Sequence, residues 1–192
     1  MNLSADYLKN LVEESKQVMD SPGLESIVQN QEDESLKSPG VEAHYYRFLY
    51  RLARDMKASV MVELGTHTGI SSACLAEGSA SGEVLTVNCH DQLWSHCRRW
   101  NVRYILQDSL TLIDLPGAID ILFIDTDHDG IRCIQEFGMY EKFLAKDCVV
   151  LFDDIFLNKE MKDFWENFSP NGWEKVELAA HGEAGFGALI RK

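Results

Sequence analysis

Val60-Met61-Val62-Glu63-Leu64-Gly65-Thr66-His67-Thr68-Gly69-Ile70-Ser71-Ser72 decides how the rest of the chain reads. Val60 to Leu64 is an apolar, β-branched run broken by one acid, the composition of a strand buried on both faces. Gly65 and Gly69 mark a sharp turn. Ser71 to Glu77 then carry a helical pattern, which Gly78 and the small residues up to Gly82 bring to an end. Strand, glycine turn and helix make the first βα unit of an open α/β sheet. Glycine lets backbone approach a ligand closely, and a helix N-terminus offers free N–H donors to an anionic group. The dinucleotide fingerprint G-x-G-x-x-G is interrupted by Thr68 and Ile70. A tight turn serving packing alone would look similar, so the other strand ends must be read with it.

Working outward, the pattern alternates. Residues 1–20 are helical in periodicity, with Ser4 as N-cap, and Ser21-Pro22-Gly23 breaks them. Residues 24–37 are polar and weakly patterned, closed by Ser38-Pro39-Gly40. Val41 to Met56 is an amphipathic helix leading into the first strand. After the opening unit come a second strand at Glu83 to Asn88, a helix over Asp91 to Trp100, and a third strand at Val102 to Leu106. A fourth strand runs from Ile119 to Asp125, a helix from Gly130 to Leu144, and a fifth strand from Cys148 to Phe152. Asn158 to Phe168 is helical. Trp173 to Leu178 and Phe186 to Ile190 read as a hairpin joined by a glycine-containing loop. Alternating β and α predicts an α/β fold: a doubly wound, mostly parallel sheet ending in an antiparallel hairpin. The expected organisation is a single domain over residues 1–192. Residues 1–57 form a helical extension that caps the substrate, and 58–192 form the core.

Composition narrows the partners. Of 192 residues 45% are hydrophobic and 26% charged, ordinary for a globular chain. A net charge of −13 argues against nucleic acid or an anionic membrane as partner. It favours a neutral or cationic small molecule, or a divalent metal. The five cysteines (Cys74, Cys89, Cys97, Cys133, Cys148) are scattered and odd in number, which reads as reduced thiols in a cytoplasmic protein. Cys89-His90 and His96-Cys97 are adjacent pairs and lack zinc-ligand spacing. No signal or membrane-spanning pattern stands out. Homo-oligomerisation stays open.

In a doubly wound sheet the ligand lies beyond the carboxyl ends of the strands. Those ends are Glu63 to Gly69, Asn88, Asp108-Ser109, Asp125 to His128, and Asp153-Asp154. Asp125, Asp153 and Asp154 each terminate a buried run on neighbouring strands. Three carboxylates held together repel unless a cation neutralises them. Hard oxygen donors suit Mg²⁺, Ca²⁺ or Mn²⁺. Trp94, just past the second strand, is a candidate to stack on a planar ligand.

Glu63-x-Gly65-Thr66-x-x-Gly69-x-Ser71 resembles the first motif of class I S-adenosylmethionine-dependent methyltransferases. Asp125-x-x-His128, followed 28 positions after Asp125 by Asp153-Asp154, resembles the metal-dependent O-methyltransferases. The pattern is similar to catechol O-methyltransferases, which carry Lys where His128 stands. It is closer to the macrolide-sugar O-methyltransferases and the cephalosporin-hydroxylase family. The resemblance spans about Val60 to Ile190 and implies an O-methyltransferase acting on a small-molecule hydroxyl, with S-adenosylmethionine and Mg²⁺ as cofactors. It implies Asp125, Asp153 and Asp154 as metal ligands and His128 as general base. Glu63, Gly65, Thr66, Gly69 and Ser71 would hold the methionine end, with Asp108 and Ser109 near the adenine. Asn88 departs from the family, whose acid at this position accepts both ribose hydroxyls; Asn88 has one acceptor oxygen and no charge, and Asp91 is the alternative. A protein that keeps the fold as a hydroxylase relative or as a binding module is the rival reading.

Overall fold

The computed structural model describes residues 3–19, 21–33, 43–178 and 184–192. Three helices come first: α1 (Ala5–Glu14), α2 (Pro22–Asp33) and α3 (Ala43–Met56). There follow β1 (Val60–Leu64), α4 (Ile70–Gly78), β2 (Glu83–Asn88), β3 (Val102–Leu106), β4 (Ile119–Ile124), α5 (Gly130–Tyr140), β5 (Leu144–Asp153), α6 (Lys159–Asn167), β6 (Trp173–Leu178) and β7 (Phe186–Arg191). The seven strands form one sheet in the order β3-β2-β1-β4-β5-β7-β6. Strands β1 to β5 are parallel, while β7 pairs antiparallel with both β5 and β6. This is the expected doubly wound sheet with its closing antiparallel pair.

The apolar runs seen in the sequence are central strands because they are covered twice. β1 is buried along its whole length. One face of the sheet packs Met61, Phe123, Val149 and Leu151 against α1, α3 and α4 through Leu8, Leu11, Phe48, Leu49 and Ile70. The other face packs Val62, Leu122, Val150 and Phe152 against α5 and α6 through Phe137, Phe164 and Trp165. The N-terminal helices therefore share the sheet's own core.

Some bounds shift, since the helix expected to reach Leu144 ends at Tyr140 and the strand expected from Cys148 begins at Leu144, and two local expectations differ outright from the structure. The stretch 24–37 was expected to be weakly patterned, yet α2 forms over Pro22–Asp33. Pro22 occupies its first position, where the missing N–H costs nothing. Its inner face carries Leu24 and Val28 together with Glu25, a buried carboxylate paired with Arg47 of α3. A charge pointing inward hides the apolar stripe. The helix expected over Asp91 to Trp100 is instead a loop with one 3₁₀ turn at Ser95–Cys97. The Trp94 N–H donates to Thr68 O at 3.1 Å, fastening this loop to the glycine turn in place of helical pairing. Ser38-Pro39-Gly40, the start of the helix at Val41 and most of the loop joining β6 to β7 lie outside the described residues. Among the described residues no helix is long and apolar enough to cross a membrane.

Candidate active site

At the carboxyl ends of β1, β2, β4 and β5 the chain encloses a cavity of about 400 Å³. One wall is the glycine turn, where Gly65 lines the cavity and Gly69 does not. Gly65 sits at φ +102° and Gly69 at φ +87°, both left-handed. The sequence suggests that Gly65 is small to admit a ligand, and the structure adds a second reason. A Cβ there would stand 1.6 Å from the Asp125 carbonyl oxygen, so glycine is what lets β1 and the end of β4 lie this close. At Gly69 a Cβ would meet Leu93. Thr66, Thr68, Ile70 and Ser71 complete this wall, with Ser71 in the first turn of α4.

Glu63 is not on the wall. It lies beneath it, fully buried, where its Oε2 accepts from the hydroxyls of Ser72 and Thr86. Thr86 also meets Thr66 at 2.6 Å. Its Oε1 has no hydrogen-bond partner of acceptable geometry among the described residues. Burial pushes its carboxyl up to about 7, partly opposed by the hydroxyls of Ser71, Ser72 and Thr86. Glu63 thus supports the turn from below.

The opposite wall carries Asp125, Asp127, His128, Asp153 and Asp154. His128 Nε2 is 2.8 Å from Asp154 Oδ2 and 3.7 Å from Asp125 Oδ1. His128 (φ +52°) and Asp154 (φ +51°) are both left-handed, a conformation uncommon outside glycine that concentrates at functional sites. Hydrogen bonding to Asp125 and then to Asp154 raises the imidazole to about 10, so in this arrangement it is charged. That differs from the near-neutral base which an unperturbed histidine would be. Burial, followed by the charge of Asp153, pushes Asp125 up to about 7. The donor chemistry fits a hard divalent cation: three carboxylates share one wall, with their repulsion met here by His128. Among the described residues no three side chains already converge as a cation cage.

The second-strand end contributes Asn88, which lines the cavity and donates from Nδ2 to His90 O at 2.7 Å. Asp91 lines a smaller neighbouring cavity of about 230 Å³ with Asn88, Leu93 and Tyr104. Trp94 is absent from both linings; its ring leans on His96 with centroids 5.1 Å apart. Ser109 lines the main cavity. Asp108 does not, and its Oδ1 accepts from Arg132 Nη2 at 2.6 Å and from the Leu110 N–H at 2.8 Å.

Several wall residues were not singled out from the sequence, three of them on α3 and α5. Arg132, from α5, is one. Tyr45 and Tyr46 are the others, brought in by α3. The Tyr45 hydroxyl donates to Asp153 Oδ2 at 3.4 Å, and its ring packs edge-on against Tyr46, Phe123 and Phe186. A helical stripe of aromatics reads as core, and Tyr45 is core except for its hydroxyl.

This geometry agrees with what the chain is similar to. Residues 62–155 match the family model described as a methyltransferase domain. That segment runs from β1 past Asp154 and holds the glycine turn, His128 and all three rim carboxylates. The match covers just under half of the chain, and the sheet built around it is the seven-stranded, doubly wound one described above. An uncharacterized protein of Acanthamoeba polyphaga mimivirus is 33% identical over 88 residues, which span 45% of this chain and only 39% of the viral protein. Among solved structures, the S-adenosylhomocysteine-bound methyltransferase PaMTH1 of Podospora anserina superposes with a TM-score of 0.72 at 14% identity, over 100% of this chain and 98% of its own. The O-methyltransferase TomG of Streptomyces achromogenes, solved with S-adenosylmethionine and involved in tomaymycin synthesis, gives 0.70 at 20% identity over 100% of both chains. A Bacillus cereus O-methyltransferase with S-adenosylhomocysteine gives 0.67 at 19% identity, over 98% of this chain and 100% of its own.

Proposed function

We propose that this chain is an S-adenosylmethionine-dependent O-methyltransferase that acts on a small-molecule hydroxyl with help from a divalent cation. The carrying observation is convergence on one cavity: the glycine turn of β1 faces the carboxylate and histidine wall of β4 and β5. The class I fold and the S-adenosylmethionine or S-adenosylhomocysteine bound by its structural neighbours support the cofactor.

The turn residues Gly65, Thr66, Gly69 and Ser71 hold the amino-acid end of the cofactor at the N-terminus of α4, where backbone N–H groups favour an anion. Asn88 and Ser109 face its nucleoside end. Asp125, Asp153 and Asp154 would hold the cation; when bound, it supplies Lewis-acid stabilisation of developing negative charge. His128, charged while it is paired with Asp154, would take the acceptor's proton from the neutral form it regains if Asp154 turns to the cation, and the chain's main task is to align two bound reactants for in-line transfer. On this reading Tyr45 and Tyr46 would meet the acceptor, with α3 the N-terminal helix that reaches the cavity among the described residues. The acidic wall selects a neutral or cationic hydroxyl compound.

Isothermal titration with S-adenosylmethionine, with and without Mg²⁺, tests the cofactor reading; a hydroxyl-compound library then supplies the acceptor. Asp153→Ala should lose activity that excess Mg²⁺ partly restores. His128→Ala should lose about 10²–10⁴ in rate regardless of metal. Full wild-type speed in chelator, or a His128→Ala variant as fast as wild type, overturns the metal-and-base assignment.

A further inference from the structure

Arg132 extends from α5 into the cavity wall and uses each guanidinium nitrogen on a different part of the fold. Its Nε donates to Glu136 Oε1 at 3.1 Å. Its Nη2 meets Asp108 Oδ1 at 2.6 Å and Ser109 Oγ at 2.7 Å. Its Nη1 lies 3.6 Å from Asp127 Oδ2. Behind it, Glu136 is completely buried, accepting from Ser109 Oγ at 2.5 Å and from Thr126 Oγ1 at 3.1 Å. One buried carboxylate and one arginine thereby tie the loop after β3 (Asp108, Ser109) to the loop after β4 (Thr126, Asp127).

An ion pair with a fully buried carboxylate is an expensive way to gain stability, since apolar residues of similar volume hold a fold at least as well. It does fix geometry, because the planar guanidinium accepts few alternatives. Ser109, Thr126 and Arg132 all line the cavity. The glycine turn at the α4 N-terminus suits a charged end, which leaves this wall for the neutral, planar half of the ligand.

We infer that Arg132, braced by Glu136, is a positioning residue that sets the wall for the adenosine half of the cofactor. The inference rests on the cofactor reading above. The test is to measure dissociation constants for S-adenosylhomocysteine and for 5′-methylthioadenosine, which lacks the amino-acid end. Arg132→Gln should weaken both by the same factor, about tenfold or more, as expected for hydrogen bonds to charged groups. Ser71→Ala should weaken S-adenosylhomocysteine while leaving methylthioadenosine as in wild type. Glu136→Gln, which keeps the shape and loses the charge, should shift both ligands in the same direction as Arg132→Gln and serves if that variant does not fold. Unchanged binding of both ligands by the folded variants overturns the inference, as does loss of S-adenosylhomocysteine alone. A wild-type chain that binds neither ligand overturns the cofactor reading itself, and this inference with it.

Discussion

Glu63 offers the most direct physical test of how this domain is built. Its carboxyl is sealed beneath the glycine turn, and burial raises it from 4.5 to about 7. The unfolded chain ionises this group near 4.5, while the folded chain keeps it protonated to about 7. Over that window the unfolded state binds fewer protons, so stability falls as pH rises. The contribution is complete below 4.5 and gone above about 7, and its size is about 3 kcal/mol. Glu63→Gln removes the titration while keeping an acceptor oxygen for Ser72 and Thr86. Urea unfolding of both proteins from pH 5 to pH 8 should therefore show their stabilities moving relative to one another, with the variant gaining on wild type by most of about 3 kcal/mol. Subtracting one curve from the other cancels Asp125 and Glu136, whose carboxyls are also raised. A constant gap between the two proteins across this range would refute the reasoning.

Other perturbations separate packing from chemistry. Gly65→Ala sets a methyl group against the Asp125 carbonyl oxygen, so thermal unfolding should show a clear loss of stability before any ligand is added; a melting temperature within a degree of wild type would disprove the close approach. Arg47→Met strands the buried Glu25 carboxylate, which also accepts from the Met19 N–H at 3.0 Å, and should cost about 3–5 kcal/mol by chemical denaturation. Tyr45→Phe preserves the ring contacts with Phe123 and Phe186 and removes one hydrogen bond to Asp153, so stability should change by no more than about 1.5 kcal/mol while turnover falls. Equal turnover would show that the hydroxyl serves only the fold.

The parts of this fold legible in the sequence were those where one principle dominates. Apolar runs at 60–64, 119–124 and 148–152, interrupted only by Glu63 and Asp120, read as doubly covered strands, and the acids closing the last two read onto one rim. What was hidden depended on neighbours distant in sequence. Glu25 looked like solvent-facing polarity until Arg47 arrived from another helix. Arg132, basic and in the first turn of a helix, resembled an ordinary exposed residue, yet its partners include the loops at 108–109 and 126–127. Glu63 reads from the sequence as a cofactor contact yet lies beneath the turn, because spacing cannot distinguish lining a cavity from supporting its floor. His128 was legible as a rim residue, while the charge it carries depends on how closely Asp154 approaches.

The Tyr45 contact with Asp153 bears on how such a domain can be taken apart. The segment that matches the methyltransferase family starts at Val62, after α3 has ended. A fragment cut at that boundary would retain the rim acids and the glycine turn but uncover the aromatic face of Phe123 and Phe186, and Asp153 would lose its phenol. Excision at the boundary of the matched segment is therefore the wrong way to obtain a minimal form of this fold. Grafting a different α3 onto the same sheet is the better experiment, because it exchanges the Tyr45 and Tyr46 part of the cavity wall while the glycine turn keeps its sequence.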